Sequence, residues 1–288
     1  MNARPILVTG ATGNVGGAAA RALLSAGRPV RVAGTDVDRL RALFPHAEAV
    51  MLDLRRPETF APAVTGAGGL VLVRPPAISR VGPTLNALLD AAAHHDAGHV
   101  VFCSVTGADT NRVVPHHRVE THLRRSRLSW TILRPGFFAQ NLADAYRPDI
   151  RDDDRIYLPA GQGRAAFVDT RDLGDVTAVV YDDPDAHRGA AYTLTGAHAL
   201  GFDEVARLLT DVLGRTIRYQ PAGVAGYLRH LRHRHLPMVQ CLVQTVLHTG
   251  LRRGQAERVD PTLGRLLGRA PTPLAAYIRD YRHLWASR

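Results

Sequence analysis

The run Ile6-Leu7-Val8-Thr9 leads straight into Gly10-Ala11-Thr12-Gly13-Asn14-Val15-Gly16, and an alanine-rich stretch follows. That order predicts a strand, a tight turn and a helix. Gly10 lets the chain leave the strand sharply. Gly13 puts no side chain in the way of a phosphate, and Gly16 lets the helix lie close to the strand. The N-terminus of such a helix offers unpaired N–H groups and a partial positive charge. The loop Thr12, Gly13, Asn14 and Val15 is therefore the expected cradle of a dinucleotide pyrophosphate. A glycine-rich turn without a ligand is the alternative.

Strand and helix signals then alternate. Strands are expected at residues 6–9, 30–33, 49–52, 70–73, 99–103 and 130–133. Helices are expected at 16–26, 38–44, 84–93 and 116–125. Such alternation predicts an α/β chain, a doubly wound parallel sheet with helices on both faces. Ligands of such sheets sit outside the C-terminal strand ends. After Pro135 the alternation loosens, with amphipathic helices expected at 203–213 and 274–285. The expected organisation is a dinucleotide-binding core over 1–150, with 165–195 packing back on it. A smaller, mainly helical substrate lobe over 196–288 completes one compact unit.

With 288 residues and 45% hydrophobic composition the chain can bury a sizeable core. All 36 basic residues are arginine, which excludes Schiff-base chemistry, a phosphate-loop lysine and a Tyr-x-x-x-Lys pair. The net charge of +10 favours anionic partners. The densest basic cluster, Arg229, His230, Arg232, His233, Arg234 and His235, has no interleaved aromatics. It reads as a solvated face or a subunit contact, not a nucleic-acid site. No apolar run reaches the ~18 residues of a membrane helix, so no membrane partner is expected. The first strand is expected from Ile6, so no signal peptide is expected, and the two cysteines, Cys103 and Cys241, are not expected to form a disulfide framework. The expected location is the cytoplasm, as a monomer or homodimer, with no metal.

Thr9-Gly10-Ala11-Thr12-Gly13-Asn14-Val15-Gly16 looks like the nucleotide motif of atypical short-chain dehydrogenase/reductases. Further matches are Thr131-Ile132-Leu133-Arg134-Pro135-Gly136-Phe137-Phe138-Ala139-Gln140-Asn141 and Phe167-Val168-Asp169-Thr170-Arg171-Asp172. Tyr192-Thr193-Leu194-Thr195-Gly196 and Leu266-Leu267-Gly268-Arg269-Ala270-Pro271 also fit. Together they resemble the NmrA-like group, which includes NAD(P)H-dependent quinone and azo-type reductases and some redox-sensing regulators. The resemblance implies a Rossmann-like core and a nicotinamide cofactor, NADP in preference to NAD.

By that resemblance, Asp53 with Leu54 meets the adenine edge; the other reading of Asp53 is a strand-end or capping residue. The backbone of Arg74 and Pro75 lines the nicotinamide ribose, and Pro135 and Phe137 join the cofactor contacts. At the end of the second strand an NAD site wants an acid and an NADP site an arginine. Thr35 stands where many relatives carry arginine. Asp36 opposes a 2′-phosphate, while Arg39 can reach one, or simply pair with Asp36.

A usual short-chain reductase places a serine after the fifth strand and Tyr-x-x-x-Lys on the next helix. Here Ser104 or Thr106 can fill the serine place, Arg112 falls at the tyrosine and His116 at the lysine. His116 is expected either to hold the nicotinamide ribose or to move a proton, with a reference pKa near ~6.5. His117 is expected to face solvent and Glu120 to pair with Arg124, its i+4 neighbour. Phe137, Phe138 and Asn141 are the candidate substrate contacts, with core packing as the other role of the phenylalanines. A site lacking the tyrosine and lysine suits a flat, electron-poor acceptor better than a simple ketone. The leading reading is thus a reductase of quinone-like small molecules. A dinucleotide sensor binding a protein partner and a natural-product tailoring enzyme, reducing an imine or running a redox-neutral step, are the alternatives.

Overall fold

Gly10, with φ +65°, turns the chain out of β1 (Ile6–Thr9), and α1 (Asn14–Ser25) begins four residues later. A Cβ on Gly16 would sit 2.4 Å from the Gly10 carbonyl oxygen and 2.5 Å from that of Thr9, so only glycine lets α1 lie this close to β1. The computed structural model describes residues 4–286. These form two compact units. The first runs to Pro135 and takes in Thr170–Leu194 and Arg265–Gly268; the second comprises Gly136–Asp169, Thr195–Gly264 and the chain from Arg269.

In chain order, β2 (Val30–Gly34), α2 (Val37–Leu43), β3 (Glu48–Met51), α3 (Phe60–Val64), β4 (Gly69–Val73), α4 (Ala87–His94), β5 (His99–Cys103), α5 (Pro115–Arg125) and β6 (Ser129–Pro135) follow. Next come β7 (Phe137–Phe138), α6 (Arg147–Asp152), β8 (Arg155–Leu158), β9 (Arg164–Val168), α7 (Thr170–Asp182) and β10 (Ala190–Leu194). The chain closes with β11 (Ala199–Gly201), α8 (Phe202–Leu213), β12 (Arg218–Pro221), α9 (Val224–His233), α10 (Met238–Leu251), α11 (Thr262–Leu267) and α12 (Leu274–Asp280).

The first unit holds a seven-stranded sheet in the order β10-β6-β5-β4-β1-β2-β3. Every pairing is parallel. Strand order reverses between β1 and β4, the crevice where such sheets take ligands. Thr9 ties that crevice: its Oγ1 donates to Val71 O at 3.2 Å and accepts from Val73 N at 2.9 Å. β4 and β5 are apolar along most of their length because helices cover both faces of a parallel sheet. α7 packs on α1 through small residues; a Cβ on Gly174 would lie 2.6 Å from the Ala18 carbonyl.

The second unit has its own core, built around Tyr146, Phe167, Phe202, Tyr227, Tyr277 and Trp285. It carries a β11-β9-β7 sheet and a parallel β12-β8 pair besides its helices. Trp285 Nε1 donates to Leu142 O at 2.9 Å, anchoring the last turn.

The first unit runs to Pro135, short of the expected boundary near residue 150. It ends there because Phe137 and Phe138 pair with Phe167 and Val168 in a second sheet. For the same reason residues 165–169 belong to the second unit, while α7 and β10 return to the first. The lobe is less purely helical than expected, and the helix expected over 274–285 is α12 followed by a separate 3-10 turn, Arg282–Trp285.

Candidate active site

The N-terminus of α1 has no side-chain cap. The amides of a helix's first turn have no acceptor inside the helix, so this end can receive an anion. Gly13 is extended, with φ −99°, and an added Cβ would come no closer than 3.4 Å to the protein, at the Gly10 carbonyl. Space there is open to a ligand atom, whereas the room at Gly16 is already filled by the strand. The glycine pattern therefore divides into a turn (Gly10), an open face (Gly13) and a packing contact (Gly16). Thr12 is exposed beside them.

At the end of β2, Thr35, Asp36 and Arg39 are all exposed. Asp36 caps α2, its Oδ1 accepting from the Arg39 backbone N at 2.9 Å. The expected pairing of the two is thus made by the Arg39 backbone, and among the described residues no carboxylate pairs with the Arg39 guanidinium. Beyond β3, Asp53 Oδ1 accepts from Arg55 N at 2.9 Å, the capping reading of this residue. Leu54 is buried in the core with Ala33, Leu52 and Phe60.

Arg74 follows β4 and folds its guanidinium back over its own loop. Nη1 donates to Ile78 O at 2.6 Å and to Pro75 O at 3.2 Å. Nε donates to His116 Nε2 at 3.1 Å. His116 is 7% exposed, and burial together with the Arg74 charge lowers its pKa to about 4, against an opposing pull from Glu120. The imidazole is therefore neutral at pH 7. Because Nε2 accepts, the ring proton resides on Nδ1. That nitrogen is buried and, among the described residues, has no hydrogen-bond partner. A buried unmet donor costs about 1–3 kcal/mol, so it is a position that a ligand acceptor would satisfy. The expected titration near ~6.5 is corrected to the acid side by this burial.

Glu120 pairs with Arg124 at 3.9 Å as expected, but its nearer partners lie elsewhere. It shares the buried face of α5 with His116, Val119 and Leu123. It accepts from Ser104 Oγ at 2.6 Å and, through both oxygens, from Arg134 Nε at 3.0 Å and Nη2 at 2.6 Å. Arg134 Nη1 reaches Asp109 at 3.1 Å. Two carboxylates and one guanidinium thus lock β5, β6 and α5 together beneath the strand ends. Ser104 is 2% exposed and its hydroxyl proton is donated to Glu120. His117 is likewise not turned to solvent: its Nδ1 meets Ala108 O at 2.7 Å. Pro135 ends β6 and accepts through its carbonyl from Thr106 Oγ1 at 3.0 Å. Arg134 and Glu120 were legible only in part. The i, i+4 spacing from His116 to Glu120 puts both on one helical face, a signal outweighed by the nearer arginine.

Phe137, Phe138 and Asn141 belong to the second unit and are half-buried there. Phe137 packs edge-on against Phe167 at 5.4 Å and Phe202 at 6.4 Å, so its ring serves that unit's core. Asn141 accepts from Tyr146 N through its carbonyl at 3.0 Å. In the basic cluster, His230 and Arg234 turn inward to the buried Asp149, at 3.1 and 2.7 Å, while Arg229, Arg232, His233 and His235 are exposed.

Residues 2–262 match the NmrA-like family across most of the chain. The chain belongs to the NmrA-like family. It is 34% identical over 221 residues to the NAD(P)H azoreductase of Xenophilus azovorans, covering 74% of this chain and 76% of that one. Among solved structures it is similar to the triphenylmethane reductase of Citrobacter sp. complexed with NADP(H). The TM-score is 0.86 at 22% identity, covering 96% of this chain and 99% of that one. It is also similar to the NADPH-dependent quinone oxidoreductase QOR2 of Escherichia coli complexed with NADPH, with TM-score 0.85 at 23% identity over 96% and 99% of the two chains. These likenesses carry the Rossmann-like fold of the family. Among the described residues no cluster of His, Cys, Asp or Glu could hold a metal ion, and no helix is long and apolar enough to cross a membrane.

Proposed function

We propose that this protein is an NADPH-dependent reductase of flat, conjugated, electron-poor small molecules such as quinones and azo or arylmethane dyes. The observation that carries the reading is the donor set beneath the strand ends. The sequence has no lysine, the Ser104 proton is held by Glu120, and His116 is neutral and keeps its one proton on Nδ1. Among the described residues beneath these strand ends, none carries a proton acidic enough to serve as the general acid for a developing alkoxide. Reduction of an unactivated ketone needs such an acid, whereas a quinone yields a delocalised oxyanion that water protonates. The azoreductase, the triphenylmethane reductase and the quinone oxidoreductase named above are consistent with acceptors of this kind.

The residues fit a dinucleotide. The uncapped start of α1 and the open face at Gly13 receive the pyrophosphate, with Thr12, Asn14, Val15 and Gly16 around it. Asp36 is tied to α2 while the Arg39 guanidinium is uncommitted, which favours a 2′-phosphate and hence NADPH over NADH. Asp53 and Leu54 offer backbone to the adenine side. Arg74 and Pro75 and the Pro135 end of β6 border the ribose side, and His116 Nδ1 donates to a hydroxyl or carbonyl oxygen there. The nicotinamide supplies the hydride. The chain holds and orients; Ser104, Glu120 and Arg134 keep β5, β6 and α5 in register for it.

The test is loss of NADPH absorbance with a naphthoquinone, an azo dye, a triarylmethane dye and an unactivated ketone. Turnover with the conjugated acceptors and none with the ketone is expected. Arg39→Ala should raise the KM for NADPH roughly tenfold or more and leave that for NADH nearly unchanged. Rapid ketone reduction, or no oxidation of NADPH with any conjugated acceptor, overturns the reading.

A further inference from the structure

α10 is built inside out. Its buried face carries Cys241, Thr245 and His248, while its outer face carries Met238, Val239, Leu242, Val243, Val246 and Leu247. Val239 is 73% exposed, Val246 71% and Leu247 60%. Residues at i, i+1, i+4, i+5, i+8 and i+9 of a helix form one continuous stripe. Soluble proteins rarely leave a contiguous aliphatic patch of several hundred Å² uncovered unless something binds it.

The surrounding charge limits what that is. Residues 212–256 contain seven arginines and no acidic residue. Arg229 and Arg232 lie on α9, which packs on α10, and Arg252 and Arg253 follow the helix at its other end; all four are exposed. None of the four is paired with a carboxylate among the described residues. A second copy of this chain, laid parallel or antiparallel on the stripe, would bring arginines of one copy against arginines of the other. The stripe also lacks Trp, Tyr and Arg, the anchors of most protein hot spots. A bilayer surface with anionic headgroups supplies both what the stripe and what the arginines require: acyl chains and negative charge. At 14 residues α10 is too short to span a bilayer and suited to lie in its interface.

We infer that the outer face of α10, flanked by Arg229, Arg232, Arg252 and Arg253, docks the protein on anionic membrane surfaces. The inference stands apart from the proposed reductase activity and departs from the sequence expectation of no membrane partner.

The experiment is flotation of the full-length protein with phosphatidylcholine vesicles, with and without phosphatidylglycerol, at low and high salt. Binding to the anionic vesicles and little to the neutral ones is expected, weakening with salt. Arg229→Gln with Arg232→Gln should weaken it about thirtyfold, as for two charges near an anionic surface. Val239→Asp with Val246→Asp should abolish it. Both positions are exposed, so an unchanged thermal melt is expected and checks the fold. Equal binding to both vesicle types, no binding to either, or vesicle binding untouched by the double aspartate overturns the inference. So does sedimentation showing a dimer that the double aspartate turns into a monomer, because a second copy then covers the stripe. Capture of the stripe by an acidic protein with no vesicle binding has the same consequence.

Discussion

His116 is the residue whose environment says most about the site. Its depressed pKa and the Arg74 donor on Nε2 leave a neutral ring with a single proton, on buried Nδ1. If that proton positions the cofactor, the pH–rate profile should be flat from pH 8 down through the ordinary histidine range and fall only toward about 4, where the ring takes up a second proton. His116→Ala should then raise the KM for NADPH with a smaller change in kcat. A rate that titrates near ~6.5 in the wild type and not in the variant would falsify the neutral-donor assignment. Glu120 gives a second test. Glu120→Ala leaves the Arg134 guanidinium buried with only the exposed Asp109, a loss of about 3–5 kcal/mol. For a chain of this size that lowers Tm by roughly 10 °C. Ser104→Ala removes one hydrogen bond to a charged group, about 1.5–3 kcal/mol of stability, and should leave kcat close to wild type. A collapse of kcat in a well-folded Ser104→Ala protein would restore Ser104 as a proton donor.

The β1–α1 unit separates two glycine roles that the sequence pattern merges. Gly13→Val should keep the fold, because nothing crowds its Cβ, yet remove dinucleotide affinity by filling the open face. Gly16→Val should do the reverse: its Cβ meets the Thr9 and Gly10 carbonyls, so the helix must shift and the protein should melt far lower or aggregate. Calorimetric titration with NADPH and thermal melts of both variants distinguish the cases; unchanged affinity in Gly13→Val removes the phosphate site. The sheet was legible because apolar runs and glycine punctuation report parallel strands directly, and β1, β2, β4, β5 and β6 fall within a residue or two of expectation. The second unit was less legible. β7 is two residues long, β9 pairs with strands distant in sequence, and such pairings leave no periodic signature. Glu120 was legible only in part for a related reason, its expected pair with Arg124 being present at 3.9 Å. A helix offers it Arg124 one turn away, but the bidentate partner Arg134 comes from a strand that only the tertiary fold delivers. α10 runs opposite to the common pattern, its apolar stripe facing outward where such a stripe normally marks the buried side.

Both units bury neutral histidines, and this couples the stability of the whole protein to pH. His99, between Ser129 and Thr131, and His248, between Tyr146 and Tyr227, are lowered like His116 to about 4, in each case first by burial. In the unfolded chain all three titrate near ~6.5. Between these values the unfolded state binds more protons than the folded state, so the unfolding free energy rises with pH across this window. Stability is therefore lost as pH falls from about 6.5 toward 4. Asp149 opposes the trend: burial raises its pKa, so its protonation favours the folded state. The slope is thus best read between about pH 6.5 and 5. Denaturant midpoints should fall steadily across that interval, and His99→Gln, which keeps a hydrogen-bonding side chain between the two hydroxyls but cannot take a proton, should remove about a third of the slope. The same fraction should go with His248→Gln, and the two losses should add because the residues lie in different units. Midpoints constant from pH 6.5 to 5, or a slope that neither substitution reduces, would mean that the buried rings are charged in the folded protein and that the neutral His116 on which the site depends must be abandoned with them.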